Sequence, residues 1–386
     1  MPERKIDTTQ NKVYVRALDT YEYNRVSAVL FPLLDALLAD NAIEKSALCG
    51  KKVVLKPNLV AKRKAETGIT THPAFIRACA SYFKKCGAQV TIADSPGGVY
   101  TVSALDGIYN TTGMRKAANE SGASLNTDVT YQRVYLPEYS KNTFHIITPL
   151  ANADLIVNIC RLKTHALCEM SAAVKNLFGS IPGLQKAEQH ARFPRRPDFA
   201  EMLCDLCLVN APQINITDGV IGMEGNGPTE GTLKKVGVVL ASVNPFASDL
   251  AAAHLMGYEP EEVGTVKAAV KRGLCPKTVA ELTLDGEPLE RFKSRFRRPD
   301  ASAGGFVKQI PTIFGGGLQQ LLAPRPRVNR AKCIGCGACM RNCPASTIEM
   351  TDKKAHIKPK ACIKCYCCQE FCPVEAVEIK KLFLFR

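Results

Sequence analysis

A doubly wound α/β domain with a mostly parallel sheet, followed by a small α+β domain, is the architecture the sequence predicts. Two observations carry it. Apolar, strand-like runs alternate with helical spacings from about residue 51 to 257, and two cysteine runs, CIGCGACMRNCP (333–344) and CIKCYCCQEFCP (362–373), lie near the end of the chain. The 386 residues suffice for one large and one small domain. With 46% apolar and 23% charged residues and no low-complexity tract, the chain reads as globular.

The elements follow in order. KKVVLKPNLV (51–60) is a compact apolar run ending in Pro and Asn, the pattern of a buried strand. HPAFIRACASYFKKCG (72–87) has helical spacing and a Gly stop, and QVTIADSPGG (89–98) is a second strand opening into a turn. Strand, helix and strand within about 40 residues make a βαβ unit, whose parallel pairing implies covered sheet faces. Further units are expected from ADLIVNICRLKTH (153–165), a helix in DFAEMLCDLCLVNAP, INITDGVIGMEGNGP (214–228) and VGVVLASVNPFASDLAAAHLMG (236–257). Cys204 and Cys207 share a face of that helix, as core packing or as a metal pair. The expected boundaries are 1–305 for the α/β domain with a core at about 50–255, 306–326 for a Gly-, Pro- and Arg-rich linker, and 327–386 for the small domain.

In open α/β sheets, ligands bind beyond the carboxyl ends of the strands. Lys56 and Asn58 end the first strand, Thr71 and His72 open the next helix, and Asp94, Ser95, Gly97 and Gly98 end the second strand. The SPGG turn can present N–H groups to an anion, but it is neither GxGxxG nor GxxxxGK[ST] and carries no nucleotide specificity. KTHALCEMSAAVKNLFGSIPG (163–183) is the densest stretch: Lys163, Lys175 and Asn176 suit a carboxylate or phosphate, and His165 could supply a proton. Asp218 and Glu224 beside Gly225, Gly227 and Pro228, and Asp249 in NPFASD, could bind a metal or act as acid and base.

Aligned at an offset of 29 residues, Cys333, Cys336, Cys339, Cys343 and Pro344 fall on Cys362, Cys365, Cys368, Cys372 and Pro373. Ile348, Glu349 and Met350 fall on Val377, Glu378 and Ile379, as strand residues after each loop would. Three thiolates two residues apart wrap one face of a cubane, while the fourth leaves on a short helix and reaches the other cluster. That crossing assigns Cys333, Cys336, Cys339 and Cys372 to one [4Fe-4S] cluster and Cys362, Cys365, Cys368 and Cys343 to a second. Zinc needs only two CxxC pairs, whereas two complete runs ending in Cys-Pro point to iron and sulfur. Cys367 aligns with Ala338, as a packing residue or as an alternative ligand or redox-sensitive thiol. From about 327 to 382 the chain resembles bacterial two-cluster ferredoxins, so the small domain is expected to be ferredoxin-like.

KPNLV, TTHPAFIRA, ADSPGG, LKTHALCEMSAAVKNLFGSIPG with His190 downstream, TDGVIGMEGNGPTEG and ASVNPFASD resemble, over about residues 50–255, the bacterial and archaeal family named domain of unknown function 362. Some members of that family end in a ferredoxin module. The likeness implies domain layout and site location more than a reaction.

The function expected is that of an iron–sulfur oxidoreductase whose terminal module relays electrons to an anionic small molecule. Lys56, Lys163, Lys175 and the SPGG loop would hold the anion, and His72 or His165 would donate the proton. The rival is an electron-carrier or assembly protein whose α/β domain docks a partner, and a weaker third is a non-redox anion-binding enzyme with structural clusters. The formal charge of +15 falls to roughly +11 or +9 with two clusters oxidised or reduced. The basic runs RFKSRFRR (291–298) and PRPRVNRAK (324–332) are a solvated face or linker, or a docking surface for an acidic redox protein or an anionic substrate. No nucleic-acid module accompanies the charge, a homodimer is left open, and the start MPERKIDTTQNKVYV has no apolar h-region. No run of 18 uncharged apolar residues implies a membrane partner, so the cytoplasm is the expected compartment.

Overall fold

The structure is a computed structural model that describes residues 4–301 and 324–380. The strands of the first segment are β1 (Lys12–Ala17), β2 (Lys52–Lys56), β3 (Gln89–Ile92), β4 (Ser124–Leu125), β5 (Tyr131–Val134), β6 (Phe144–Ile147), β7 (Leu155–His165), β8 (Glu169–Ser171), β9 (Ile214–Asn226), β10 (Glu230–Ser242) and β11 (Thr283–Gly286). The main sheet has the order β11-β1-β10-β9-β7-β2-β3-β4, with β8 added to β7, and β5 and β6 form a separate hairpin. Pairings of β2 with β3 and β7, of β3 with β4, of β7 with β9 and of β1 with β11 are parallel.

Helices cover both faces. On one, the helices Tyr23–Asp40, Pro73–Lys85, Val102–Thr112 and Met114–Ser121 bring Leu30, Phe75 and Tyr109 onto Val53, Leu55 and Ile159. On the other, Arg196–Asn210, Pro245–Leu255 and Gly264–Lys271 pack on Val54, Ile156 and Cys160. The alternation of Val53, Val54 and Leu55 between the faces is the period of two that a strand imposes. Covered on both sides, β7 is buried along its whole length, including its polar residues Asn158, Arg161, Lys163, Thr164 and His165. Cys204 and Cys207 are both fully buried in this core.

One connection differs from the sequence reading. The segments 214–228 and 236–257 do not belong to separate crossover units; β9 and β10 are 13-residue strands of one antiparallel hairpin. Only Gly227, Pro228 and Thr229 separate them, too few residues for a parallel crossover. The linker expected at 306–326 lies outside the described residues except for its last three positions.

In the second segment β12 (Arg325–Val328) pairs with β15 (Val377–Lys380) and β13 (Ile348–Thr351) with β14 (Lys354–Ile357), all antiparallel. Two short helices, Ala338–Arg341 and Cys367–Glu370, follow the cysteine loops. The 29-residue repeat is written into the backbone. Gly335, Gly337 and Ser346 have positive φ (72°, 69° and 49°), and so do their counterparts Lys364, Tyr366 and Glu375 (56°, 62° and 52°). The first copy meets two of these left-handed positions with glycine, while the second holds side chains there against the usual preference.

Candidate functional site

The parallel strands β2 and β3 end side by side, which brings Lys56 and Asp94 together, while β7 runs on past Asn158, the partner of Lys56, to carry Lys163. Lys56 Nζ donates to Asp94 Oδ1 at 2.6 Å, and the other carboxylate oxygen accepts from the Leu59 N–H at 2.9 Å. Both side chains are buried, so the pair is a fixed floor and not a mobile charge. Gly179 is the glycine of the VKNLFG turn because a Cβ there would stand 2.1 Å from Asp94 Oδ1. In the SPGG turn, the N–H groups of Ser95 and Gly97 donate to Gly179 and Val60 carbonyls, both at 2.8 Å, so they are not free for an anion as the sequence suggested. The Gly98 carbonyl packs against Gly183.

Above this floor lies a cavity of ≈ 80 Å³ lined by Asn58, Lys163, Lys175, Asn176 and Lys186. Lys163 Nζ donates to Asn58 Oδ1 at 2.6 Å and to the Ile69 carbonyl at 2.7 Å, with no carboxylate in ion-pair reach among the described residues. Burial and the nearby Lys175 push it from the ordinary 10.5 to about 7. Lys186 donates to Ser95 Oγ at 3.1 Å and is likewise pushed by burial to about 7, against the pull of Asp94. Lys175 lies over the Phe178 ring at 4.9 Å. Its helix, Ala173–Asn176, starts on Asp249, whose oxygens accept from the Ala173 and Val174 N–H groups at 2.7 and 3.1 Å. Asp249 therefore positions Lys175 and Asn176. The sequence reading omitted Lys186; its i,i+4 spacing to His190, which also lines the cavity, was the available signal.

The remaining wall comes from the other segment. Cys367, Glu370 and Phe371 close the cavity, so the helix after the second cysteine loop faces the lysines directly. Phe371 fits because position 97 is glycine: a Cβ there would lie 2.1 Å from the ring. Arg63 donates to the Cys372 and Pro373 carbonyls, both at 3.2 Å, and Gln369 to Glu230 at 2.8 Å.

His165 Nε2 stands 3.3 Å from Glu370 Oε1. The Nδ1 of the same ring accepts from the Leu167 and Cys168 N–H groups at 3.1 and 3.3 Å, which places the ring proton on Nε2, as donor to Glu370. Burial, then Lys175, pushes His165 down to about 4. Burial alone would raise Glu370, but the hydrogen bond from His165 and the charges of His165 and Lys175 outweigh it and hold the carboxyl at about 2. These two shifts disagree about a charge on His165. The double acceptor role of Nδ1 decides for a neutral imidazole beside an anionic Glu370, with Lys175 sustaining the anion.

Cys333, Cys336, Cys339 and Cys372 line one cavity in the small domain. The thiols near enough to act on Cys368 are Cys365, Cys362, Cys339 and Cys343, so the fourth cysteine of each run sits with the other run's first three. Cys372 Sγ accepts from the Ala376 N–H at 3.1 Å and Cys343 Sγ from the Thr347 N–H at 3.4 Å, equivalent bonds 29 residues apart. Among the described residues no three His, Cys, Asp or Glu converge tightly enough for a single metal ion. Thiols spread around a cavity with N–H groups aimed at sulfur fit a larger cluster. Cys367 is 4% exposed and lines the lysine cavity.

A family model described as Domain of unknown function (DUF362) matches residues 53–254, more than half of the chain. The chain belongs to this family. A second model, described as a 4Fe-4S dicluster domain, matches residues 325–373, so this DUF362 protein carries an iron–sulfur-binding domain of the electron-transfer type. It is 29% identical over 283 residues to a thylakoid-associated protein of Synechocystis sp., covering 73% of this chain and 85% of that one. Among solved structures, the lactate racemase apoprotein of Thermoanaerobacterium thermosaccharolyticum aligns with a TM-score of 0.38 and 11% identity, over 65% of this chain and 58% of its own length. Among the described residues no helix is long and apolar enough to cross a membrane.

Three candidates of this DUF362 chain lie away from the lysine cavity. His72 caps the helix Pro73–Lys85, accepting the Ala74 N–H at 3.2 Å, and stacks on Tyr21 with 3.7 Å between ring centroids. Asp218 takes Arg161 at 2.7 Å and Tyr21 at 2.9 Å. Both belong to a cluster around Arg161 of β7, whose members do not line the cavity. Glu224 pairs with Lys234 at 3.0 Å across the β9–β10 hairpin, which the register of Glu224 opposite Thr232 brings within reach.

Proposed function

We propose that the protein is an oxidoreductase in which two [4Fe-4S] clusters serve a small anionic substrate held at the lysine cavity. The observation that carries this reading is the shared wall: Cys367, which lies between Cys365 and Cys368, faces the same ≈ 80 Å³ cavity as Lys163, Lys175 and Lys186. Cys333, Cys336, Cys339 and Cys372 would hold one cluster and Cys362, Cys365, Cys368 and Cys343 the other. When bound, the clusters supply single electrons, here drawn from a reduced, soluble one-electron carrier in the cytoplasm.

The chain's own residues do the rest. Lys163, Lys175 and Lys186 bind the anion, since the two carboxylates at the cavity, Asp94 and Glu370, are already engaged by Lys56 and His165. Phe178 and Phe371 narrow the space and exclude water, which strengthens each charge interaction inside. Lys163, near 7, is the group suited to give a proton at neutral pH, in place of the two histidines. His72 is remote, and the Nε2 proton of His165 is committed to Glu370.

The test is a panel of small anions screened by thermal shift against anaerobically purified, cluster-loaded protein. Binding that is weakened many-fold in Lys163→Met and Lys175→Met, and that perturbs the EPR signal of the reduced clusters, is the expected result; no anion bound would sink the reading. A second reading, an electron-transfer or assembly protein whose α/β domain docks a partner, draws on a separate open cleft of ≈ 760 Å³ between Tyr21, His72, Arg77 and Lys116. It gains if the panel is silent.

A further inference from the structure

Three asparagines run in a line toward the lysine cavity. Asn215 on β9 donates through Nδ2 to the backbone carbonyls of Pro212, Ser242 and Val243, at 3.4, 3.3 and 3.4 Å. Its Oδ1 accepts from Asn158 Nδ2 on β7 at 2.9 Å, and Asn158 Nδ2 also donates to the Ala173 carbonyl at 3.0 Å. Asn158 Oδ1 in turn accepts from Asn176 Nδ2 at 2.8 Å. All three are buried.

This chain removes the usual ambiguity of amide orientation. Carbonyls surround Asn215 Nδ2, so that group must be the NH₂ end; each later amide then has only one orientation that pairs a donor with an acceptor. The line ends at Asn176, whose Oδ1 must be the oxygen. That oxygen is buried and has no hydrogen-bond partner, and Asn176 is 3% exposed on the wall of the lysine cavity. A buried acceptor left unpaired is costly, and a native fold keeps few of them without a reason.

We infer that Asn176 Oδ1 reads a hydrogen-bond donor on the bound molecule, so that the ligand is a compact anion carrying a hydroxyl or N–H beside its charge. This rests on the anion site proposed above and narrows its substrate class. Simple anions without a donor leave Oδ1 unpaired inside a closed complex, and a site built around such a group discriminates against them. The cavity is small, ≈ 80 Å³, which keeps charge and donor close together.

Glycolate and propionate test the idea, because they match in size and charge and differ in a hydroxyl against a methyl. Titration calorimetry on anaerobically purified full-length protein is expected to give glycolate roughly 10- to 100-fold tighter binding than propionate. Asn176→Leu is expected to abolish that preference while sulfate, which needs only the lysines, still binds. Equal affinity for the two carboxylates in the natural protein, sulfate binding with neither carboxylate, or a preference that survives in Asn176→Leu, overturns the inference and leaves the anion site standing. If glycolate, propionate and sulfate all fail to bind, the anion site itself falls and this inference with it. The comparison in the natural protein decides even if the variant does not fold.

Discussion

Lys163 is a buried cation with two neutral acceptors and no carboxylate beside it among the described residues. Burial pushes it from the ordinary 10.5 to about 7, and Lys186 the same way. The sign follows: both lysines are charged below pH 7 and lose that charge as pH rises, so anion affinity falls through neutrality. Sulfate stays fully ionised across this range, so any pH dependence belongs to the protein. Its dissociation constant is expected to rise roughly 10- to 100-fold between pH 6 and 9, with Lys163→Met flattening much of the profile. A lysine with a lowered value also binds fewer protons folded than unfolded, so Lys163→Met is expected to raise the melting temperature at pH 7, and less at pH 10. The sequence showed Lys163, Lys175 and Asn176 because polar residues at strand ends stand out against apolar runs. It could not show that Lys56 is tied to Asp94, or that the Ser95 and Gly97 N–H groups are spent on carbonyls, since those pairings join residues far apart in the chain.

At the scale of elements, the second cysteine loop and its helix, Cys367–Glu370, act as one part: the loop carries Cys362 and Cys365, and the helix presents Cys367 and Glu370 to the cavity. If the fourth cysteines cross, Cys343→Ser should disturb the cluster of the second run, while Cys367→Ala, which restores the Ala338 of the first, should keep about eight irons per chain by iron analysis. Loss of iron in Cys367→Ala would instead make Cys367 a ligand. The seat of this helix depends on Gly97. Gly97→Ala would push a methyl into the Phe371 ring, an overpacking that costs about 1–3 kcal/mol. Phe371→Ala should relieve it, and a double-mutant cycle in urea with a coupling near zero would refute the contact. The repeat itself was fully legible in the cysteine spacing, and the positive φ shared by positions 29 residues apart is its backbone form. The β9–β10 hairpin was not legible, because two buried strands read alike whether they run parallel or antiparallel, and only the three-residue turn told them apart.

Across the whole molecule, the two cysteine sets are not equivalent. Cys365 and Cys368 flank Cys367 at the lysine cavity, whereas Cys336 is exposed beside Ile334, which is 63% exposed, and Met340. Arg341 donates to the Cys336 carbonyl at 3.0 Å, and Arg330 and Lys332 lead into the loop along the chain, with only solvent-exposed ion pairs to offset them. The sequence announced the basic run 324–332 without saying what it leads into, since the exposure of Ile334 depends on how the loop folds over the cysteines. In the proposed function this asymmetry gives the electrons a direction: they arrive at the Cys336 side and leave at the Cys367 side. An acidic one-electron carrier is then the donor that fits, with charge steering the encounter and Ile334 and Met340 seating it. In stopped-flow reduction by such a carrier, the second-order rate is expected to fall steeply with ionic strength, as surface charges are screened over about 10 Å at 0.1 M salt. Lys332→Glu should slow it several-fold and weaken the salt dependence, while dithionite, a small reductant, should reduce both proteins alike. A rate unchanged by salt and by Lys332→Glu would move electron arrival elsewhere on the surface.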